Sequence, residues 1–528
     1  MIFSREPLSG SWIRHLALIV SLFAAWDTMG GPAYPLKLAP GQHYVVDQNN
    51  VPFFIQGDSP WFLIESLNAS EVDYYLSNRW IQGYNSIILD LTATRNEDGN
   101  GYEGDIYGHL PFTNLIAGPY TNLLSWDVRY FTNVDYVIQR AGYYGINVFA
   151  YPQYDGFGGA DWYAQMTGNS SNALWSYGAF IGNRYKDFTN LVWIGAGDFS
   201  EPNAPNRCLW NIVAAGIWSA DTNHLFSAQA QRPTPAAYYS NFVTLNSTYG
   251  SLFPYVESLA NYQRSPVLAS FAREPYYEHR NITGTPFTAL DCRHFAWWAV
   301  FSGDLGHFYG DEQQWPFNPG WQAEMWDAGA TTITNVIKLI RTRTWWNCVP
   351  DASHAVVISG YGTSGTIDYL ACTREASGKT ILAYIPQDTM MPTVDMTKIS
   401  GSTAYAWWYN PRTGEATAVG TFNTAGTQTF TPPDASDWVL VLDDAAQNYG
   451  PPGIVTPLSN QLGFQALGGN LFRLSSAGFA GQVYALQRTT NLAVPWETLG
   501  TATVGVSGTF IYDVTATSSA GFYRSTHP

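Results

Sequence analysis

Two carboxylates follow apolar, strand-like runs at positions where their side chains would face a common cleft. Asp198 comes after the run 191–196, separated from it only by Gly197, and Glu274 comes shortly after the run 267–271. Two carboxylates that face each other across a cleft are what glycoside hydrolysis needs. One must stay protonated to give a proton to the leaving oxygen, and the other must stay ionised to attack the anomeric carbon. The sequence therefore predicts Asp198 and Glu274 as a catalytic pair.

Each of these carboxylates also has a structural interpretation when it is taken alone. Asp198 would then cap the following turn, and Glu274 would form a buried ion pair. Glu201 and Glu278 lie three and four residues further along the same loops and are the alternative catalytic carboxylates. We favour the pair Asp198 and Glu274 because the two occur together, each directly after a strand-like run.

Polar and aromatic side chains close other predicted strands and are candidates for binding a substrate. These residues are Asp58, Trp61, Asp90, Tyr154, Tyr277, Glu278, His307 and Tyr309. Asp58 is either an acceptor for a substrate hydroxyl or a support for the first strand, and the nearby Trp61 favours the cleft. Asp90 is equally compatible with a structural role. For His307, a hydrogen-bonded place in the core is the alternative to ligand binding.

Chemistry of this kind needs a scaffold that brings the strand ends together. The predicted strands are 52–57, 86–91, 146–152, 191–196, 225–229, 242–245, 267–271 and 306–309. The predicted helices are 70–82, 129–144, 173–186, 207–219, 255–262, 290–302 and 331–342. This alternation predicts an α/β fold, a (β/α)₈ TIM barrel over residues 34–346, with catalytic residues at the carboxyl ends of its strands. A doubly wound open sheet is the alternative, but no Gly-x-Gly-x-x-Gly follows the first strand.

From residue 347 the pattern changes to short strand-like runs. They are predicted at 355–359, 369–373, 380–385, 404–409, 427–430 and 438–442. Residues 347–445 therefore predict an antiparallel β-sandwich. Residues 446–461 predict a linker, since they include Gly450-Pro451-Pro452-Gly453. Residues 462–528 predict a second small β-sandwich module, with strands at 470–474, 482–488 and 509–514.

The amino-terminal residues have the features of a secretory signal peptide. Arg5 and Arg14 precede the apolar run 16–25, which is too short to span a bilayer. We therefore expect residues 1–33 to be a signal peptide and the protein to be secreted; a buried core helix is the alternative. No later segment predicts a membrane span.

The composition disfavours several classes of partner. The chain of 528 residues has 41 acidic and 25 basic side chains and a net charge of −16, which argues against nucleic acids and anionic membranes. Aromatic residues make up 16% and favour a sugar-binding cleft, since sugars stack on aromatic faces. Four cysteines allow three full pairings, with Cys348–Cys372 as a loose guess. The chain has no His-Glu-x-x-His motif, which argues against a zinc protease.

Several motifs in this sequence resemble those of a known family. They are Gly57-Asp58-Ser59-Pro60-Trp61, Asn190-Leu191-Val192-Trp193-Ile194 with Gly197-Asp198, Glu274-Pro275 with Tyr277-Glu278, and Gly306-His307-Phe308-Tyr309-Gly310. In this order the chain resembles the apiosidase-like bacterial glycoside hydrolases, glycoside hydrolase family 140, over residues 44–443. Within that range, residues 407–415 and 437–443 look like a domain of collagen-binding type.

The resemblance implies a (β/α)₈ barrel followed by a β-sandwich and a retaining mechanism, with Asp198 as acid/base and Glu274 as nucleophile. In a retaining pair the carboxyl groups lie about 5–5.5 Å apart. We expect a bacterial, periplasmic or extracellular enzyme that acts on a poly- or oligosaccharide as a monomer and needs no metal or cofactor. The sequence departs from its relatives at Ala196, where they commonly have glycine before Gly197-Asp198, and at Arg273, where they often have glycine before Glu274. A non-catalytic carbohydrate- or matrix-binding protein on a barrel scaffold is the functional alternative.

Overall fold

The structure is a computed structural model. It describes residues 32–92, 104–116, 118, 120–202, 208–239, 242–249, 252–274, 277–282, 284–387, 390–454, 463–468, 471–477, 483–489, 496–503, 509–515 and 522–526. The predicted signal peptide therefore lies outside the described residues, apart from its last two positions. The second part of the predicted linker, from residue 455, lies outside them as well.

Eight parallel strands form the predicted barrel. A small antiparallel sheet precedes it and consists of β1 (Lys37–Leu38), β2 (Val45–Val46) and β3 (Pro52–Phe53). The barrel strands are β4 (Ile55–Asp58), β5 (Ser86–Asp90), β6 (Asn147–Tyr151), β7 (Leu191–Ala196), β8 (Leu225–Gln229), β9 (Asn246–Thr248), β10 (Ser270–Ala272) and β11 (Gly306–Tyr309). Every residue of these eight strands is buried, because both faces of a parallel sheet are covered.

The barrel is nearly closed. Its strand order is β8-β7-β6-β5-β4-β11-β10-β9, so only the edges β8 and β9 lack a ladder between them. The Leu245 backbone N–H donates to the Phe226 carbonyl at 2.9 Å, and the Ser247 hydroxyl donates to the Ala228 carbonyl at 3.2 Å. These bonds join the two edges, and the carboxyl ends of all eight strands therefore surround one mouth.

Helices cover the outside of the barrel. They are α1 (Leu63–Ser66), α2 (Ala69–Gln82), α3 (Val128–Tyr143), α4 (Trp162–Thr167), α5 (Ser171–Tyr185), α6 (Leu209–Trp218), α7 (Tyr255–Tyr262), α8 (Ala289–Phe301), α9 (Trp321–Glu324), α10 (Ala328–Thr332) and α11 (Asn335–Ile340). Helix α2 begins with a capping box, in which the Asn68 side chain accepts the Glu71 N–H and the Glu71 carboxylate accepts the Asn68 N–H. This reciprocal pair satisfies two N–H groups that would otherwise lack partners.

Two predicted elements of the barrel differ most clearly from the observed ones. The sixth barrel strand is β9, after the predicted 242–245, because the polar side chains of β9 are buried inside the barrel and give no apolar signal. The predicted helix 331–342 is divided into α10 and α11, with a break at Ile333 and Thr334. Both differences affect element boundaries and leave the predicted fold class confirmed.

A β-sandwich follows the barrel. Its strands are β12 (Cys348–Pro350), β13 (Val357–Ser359), β14 (Ala371–Glu375), β15 (Thr380–Ile385), β16 (Thr393–Asp395), β17 (Thr403–Tyr409), β18 (Ala416–Asn423), β19 (Thr427–Thr429) and β20 (Trp438–Asp444). Six strands form one antiparallel sheet, β12-β14-β15-β20-β17-β18, and three form the other, β13-β16-β19. The sandwich packs on α8 of the barrel, where the rings of Trp297 and Tyr384 are stacked 5.9 Å apart and Arg293 pairs with Asp437 at 2.8 Å.

The carboxyl-terminal module has six strands in two antiparallel sheets. They are β21 (Gly463–Gly468), β22 (Leu471–Ala477), β23 (Val483–Thr489), β24 (Glu497–Thr503), β25 (Thr509–Thr515) and β26 (Phe522–Thr526). The sheets have the orders β21-β22-β25 and β24-β23-β26. Antiparallel β-sheet domains thus follow the barrel, as the sequence predicts.

All four cysteines are free. The guess that Cys348 pairs with Cys372 is wrong, because the register of β12 and β14 places Cys348 opposite Glu375. Cys372 is three residues, roughly 10 Å, along the same strand, which is beyond the reach of a disulfide. Among the described residues, no helix combines the length and the apolar character that crossing a membrane requires.

Candidate active site

The two predicted catalytic carboxylates lie at the mouth of the barrel. Asp198 follows β7 and Glu274 follows β10, and each is partly exposed. Both residues have left-handed backbones, with φ of 39° at Asp198 and 38° at Glu274. Residues other than glycine rarely adopt this conformation, and such strained positions concentrate at functional sites. Both residues are among the eight described non-glycine residues with a positive φ, which is compatible with a functional role.

The turn before Asp198 requires glycine. Gly197 has a φ of 145°, and a Cβ atom on it would lie 2.3 Å from Cδ2 of Tyr154. The Gly197 N–H donates to the Gln229 carbonyl at 3.0 Å, which fixes the turn against β8. Tyr154 therefore packs directly on the turn that presents Asp198.

Two neutral donors hold the Glu274 carboxylate. The Tyr277 hydroxyl donates to Oε1 at 2.6 Å, and Nε2 of Gln229 donates to Oε2 at 3.1 Å. Nε1 of the buried Trp61 in turn donates to the Tyr277 hydroxyl at 2.6 Å. Because each oxygen accepts a hydrogen bond from a different side, these contacts orient the carboxylate.

The cation beside Glu274 lies beneath the site. Arg273 is fully buried, and its Nη1 donates to the Tyr151 hydroxyl at 3.2 Å. Tyr151 donates to Oε1 of Gln229 at 2.5 Å, and Gln229 thereby presents its NH₂ group to Glu274. Arg273 thus starts a hydrogen-bond chain that ends on the Glu274 carboxylate.

The environment of Asp198 favours the protonated form of its carboxyl group. Burial, followed by the negative charge of Glu274, raises the pKa of Asp198 to about 6. The cations of Arg232 and Arg273 and a hydrogen bond with Tyr249 act in the other direction but are outweighed. The effect of Glu274 shows that the two carboxyl groups share one electrostatic environment. One carboxyl group in the site therefore retains its proton well above the usual range for aspartate.

Three of the predicted substrate-binding residues lie at this pair. Tyr154 is half-buried, and the charges of Glu274 and Asp198 add to burial in raising its pKa. Tyr277 and Trp61 are almost fully buried, at 3% and 5% exposure, and form the hydrogen-bonded support of Glu274. The structure thus gives Tyr277 and Trp61 positions behind the nucleophile candidate, where a substrate has little access.

Asp58 is buried at the carboxyl end of β4. Its Oδ2 pairs with Nε of Arg79 at 2.5 Å and accepts the Tyr75 hydroxyl at 2.5 Å, and the residue is fully buried. A buried carboxylate with this many partners supports β4 and α2, so the structure favours the supporting role over hydroxyl binding.

Four further predicted residues are also buried within the protein. Asp90 is 2% exposed, and burial raises its pKa well above the usual range. His307 is fully buried in β11, where burial lowers its pKa to about 3, and no described residue forms a hydrogen bond with either ring nitrogen. The buried Tyr309 donates its hydroxyl to the Glu278 carboxylate at 2.6 Å. These positions separate Asp90, His307, Tyr309 and Glu278 from direct contact with solvent at the mouth.

Glu201, the alternative to Asp198, has a structural position. Its carboxylate accepts the backbone N–H groups of Leu209 at 2.6 Å and of Trp210 at 3.0 Å. These are the first residues of α6, whose free N–H groups and helix dipole attract a negative charge. Glu201 is 1% exposed and faces the helix rather than the cleft.

Sequence reasoning missed three residues of the site. Gln229 ends β8, Tyr249 follows β9, and Arg232 lies in the loop after β8. The Arg232 guanidinium donates to the Glu274 carbonyl at 3.3 Å and lies over the Tyr249 ring at 4.1 Å. Their positions at or near strand ends could have indicated these residues. They were missed because none of the three is a carboxylate and because the sixth strand was predicted too early in the chain, at 242–245.

Comparisons with known proteins place these features in context. Residues 39–347 match the family model described as "Apiosidase-like, catalytic domain", and residues 349–443 match "Putative collagen-binding domain of a collagenase". The chain is similar to a crystal structure of a glycoside hydrolase family 5 protein from Bacteroides vulgatus, with 24% identity, a TM-score of 0.69, and coverage of 80% of this chain and 96% of that one. A second structure, titled "Glycoside hydrolase", is 24% identical over 79% of this chain and 98% of that one, with a TM-score of 0.67. At this identity the likeness concerns the fold. None of the curated proteins matches the chain.

Proposed function

The chain belongs to the apiosidase-like family of glycoside hydrolases, and on that premise we propose that it cleaves its carbohydrate substrate with retention of anomeric configuration, using Asp198 as acid/base and Glu274 as nucleophile. The observation that carries this assignment is the contrast between the two carboxyl groups. Glu274 accepts hydrogen bonds at both oxygens, whereas burial and the charge of Glu274 raise the pKa of Asp198 to about 6. This difference between the environments of the two carboxyl groups supports the proposal that Asp198 is the acid and Glu274 the nucleophile.

In the first step Asp198 donates its proton to the glycosidic oxygen while a Glu274 oxygen attacks the anomeric carbon. The bond between that carbon and the leaving oxygen breaks, the leaving group departs as an alcohol, and a glycosyl ester of Glu274 forms. Tyr277 and Gln229 direct the attacking carboxylate, since each donates to one of its oxygens.

The second step needs Asp198 as a base, and its electrostatic interaction with Glu274 explains how it changes from acid to base. Esterification removes the negative charge of Glu274, which is one cause of the raised pKa of Asp198. Its pKa then falls, and the ionised Asp198 takes a proton from water as the water oxygen attacks the anomeric carbon. This attack releases the sugar and restores the Glu274 carboxylate.

The proposal is tested by replacing Glu274 with glutamine and measuring reducing-sugar release from a panel of plant and algal polysaccharides. Wild type is expected to cleave at least one of them, and Glu274→Gln to lose at least about 1,000-fold of that rate, because an amide cannot form the ester. Glu201→Gln is the matched control and is expected to remain active, since Glu201 contacts α6.

The outcome also separates the enzyme from a carbohydrate-binding protein. Retained polysaccharide binding by Glu274→Gln with loss of turnover supports the proposal. If wild type binds a polysaccharide and neither protein cleaves it, the binding protein is favoured. Equal activity of Glu274→Gln and wild type contradicts the assignment of the nucleophile.

We further propose that the protein is exported. The support is the sequence of the first 33 residues, in which two arginines precede a short apolar run. Expression in a bacterial host followed by intact-mass measurement of the periplasmic and secreted fractions tests this. A mature protein beginning close to residue 34 is expected, and an intact amino terminus in the cytoplasm contradicts it.

A further inference from the structure

A second cluster of titratable side chains lies behind the Glu274 loop. Glu278, His279, Asp311 and Asp327 each place a ligating atom within 4.8 Å of those of the others. Glu278 and His279 follow β10, Asp311 follows β11, and Asp327 precedes α10. A fifth group, the Glu324 carboxylate, lies 3.7 Å from Nε2 of His279. Four carboxyl groups thus surround a single imidazole.

One oxygen of this cluster is buried without a hydrogen-bond partner among the described residues. Oδ1 of Asp311 accepts the backbone N–H groups of Gln313 and Gln314, both at 2.9 Å, which fixes the plane of the carboxylate. Oδ2 is buried and has no hydrogen-bond partner in the part of the chain that the structure describes, and Nε2 of His279 is 3.8 Å away. A buried carboxylate oxygen without a partner is costly, and a bound ion removes that cost. Asp311 therefore points to a ligand in this position.

The side chains of His279, Asp327 and Asp311 are spaced almost as metal ligands are. Nε2 of His279 lies 2.6 Å from Oδ2 of Asp327 and 3.8 Å from Oδ2 of Asp311. Ligands that share a metal at about 2.0–2.2 Å lie roughly 3–4.4 Å apart, so a shift of the exposed His279–Asp327 contact by about 1 Å would admit an ion. The ion pairs that the structure shows for these carboxylates all run to His279. The negative charge of the cluster is therefore only partly compensated.

We propose that Glu278, His279, Asp311 and Asp327 bind one divalent transition-metal cation, Mn²⁺ or Zn²⁺. Carboxylates suit Mn²⁺ and Zn²⁺, and the imidazole disfavours Ca²⁺, which prefers oxygen ligands throughout. An entry path exists, because the His279 side chain is 48% exposed and the Asp327 side chain is 25% exposed.

The expected role of the ion is to hold the loop that supports the nucleophile candidate. Glu278 is adjacent to Tyr277, the donor to Glu274, and its backbone N–H donates to the Gly310 carbonyl at 3.0 Å. Its carboxylate accepts the Gly329 N–H at 3.0 Å. A cation here would connect the loops after β10 and β11 with the start of α10. The site contains neither Asp198 nor Glu274, so the inference does not depend on the proposed mechanism.

The test is isothermal titration of the chelator-treated, desalted full-length protein with MnCl₂, ZnCl₂ and CaCl₂ in separate experiments. One equivalent of Mn²⁺ or Zn²⁺ is expected to bind with a micromolar or lower Kd and to raise the unfolding temperature. Asp311→Asn is expected to weaken binding at least tenfold. This variant keeps the acceptor for the two backbone N–H groups and turns an amide donor toward the other carboxylates, so the metal-free protein is expected to fold.

Two further variants keep the result decisive. His279→Asn removes an exposed ligand, tolerates a positive φ, and is expected to weaken binding at least as much. Glu312→Gln is the matched control, because Glu312 is next to Asp311 but lies 3.8 Å from Arg280 and outside the cluster. Its affinity is expected to equal that of wild type. No binding of Mn²⁺ or Zn²⁺, binding of Ca²⁺ alone, or equal affinities for wild type, Asp311→Asn and His279→Asn would overturn the proposal.

Discussion

Replacing Tyr277 with phenylalanine removes one hydroxyl group that contacts the proposed nucleophile. That hydroxyl donates to Oε1 of Glu274 at 2.6 Å and accepts from Nε1 of Trp61 at 2.6 Å. A hydrogen bond to a charged group contributes about 1.5–3 kcal/mol, and about 1.36 kcal/mol corresponds to a factor of ten in rate. If the bond orients Glu274 for attack, kcat/KM is therefore expected to fall about 10- to 150-fold.

The assay is the initial rate of reducing-sugar release from the polysaccharide that wild type cleaves, measured well below the unfolding temperature. Tyr177→Phe is the matched control: Tyr177 is fully buried in the same barrel and donates its hydroxyl to the Pro152 carbonyl at 2.7 Å. Its kcat/KM is expected to stay within about threefold of wild type, with a loss of stability of about 1 kcal/mol. Near-wild-type activity of Tyr277→Phe, or equal losses in both variants, would refute the reasoning.

The remaining predictions concern the acid and the turn that presents it. Because Asp198 must carry a proton in the first step and its pKa is raised to about 6, kcat/KM is expected to fall about tenfold per pH unit above that value; a pH profile that stays flat to pH 8 contradicts this. Asp198→Asn is expected to lower kcat/KM about 100- to 10,000-fold on a polysaccharide. The decrease in kcat/KM is expected to be much smaller on an aryl glycoside whose leaving group needs no proton, as kinetics on both substrates will show. Gly197→Ala places a Cβ 2.3 Å from the Tyr154 ring and is expected to reduce kcat/KM and the unfolding temperature. Gly365 also has a positive φ, but a Cβ added there meets no atom of the described residues within 4 Å, so Gly365→Ala should lower only the unfolding temperature.

The barrel was predictable because its strands are apolar and buried on both faces. The strands Leu191–Ala196, Leu225–Gln229 and Gly306–Tyr309 have the bounds that the sequence predicts. The sequence prediction placed the strand Asn246–Thr248 too early in the chain, at 242–245, because the side chains of this strand are polar and yet fully buried. A hydrophobic pattern detects a buried strand through its apolar residues, and a strand of buried polar residues does not show that pattern.

The candidate site was predictable only in part, for a related reason. Asp198 and Glu274 stand directly after apolar strands, so their positions follow from the order of the chain. The partners of the other polar residues depend on contacts between distant segments. Asp58 meets Arg79 and Gln314, and Tyr277 meets Trp61, 216 residues away. No local pattern indicates which of two buried polar residues faces a partner and which faces the cleft.

The stereochemistry of the first product tests the central assignment most directly. Proton NMR of a fresh digest, recorded before the released sugar mutarotates, gives the anomer that the enzyme forms. If Glu274 forms a glycosyl ester that water then opens with Asp198 as base, the new reducing end must have the configuration of the bond that was cleaved. Retention of that configuration is the predicted result, and release of the opposite anomer would contradict the assignment of Glu274 as nucleophile.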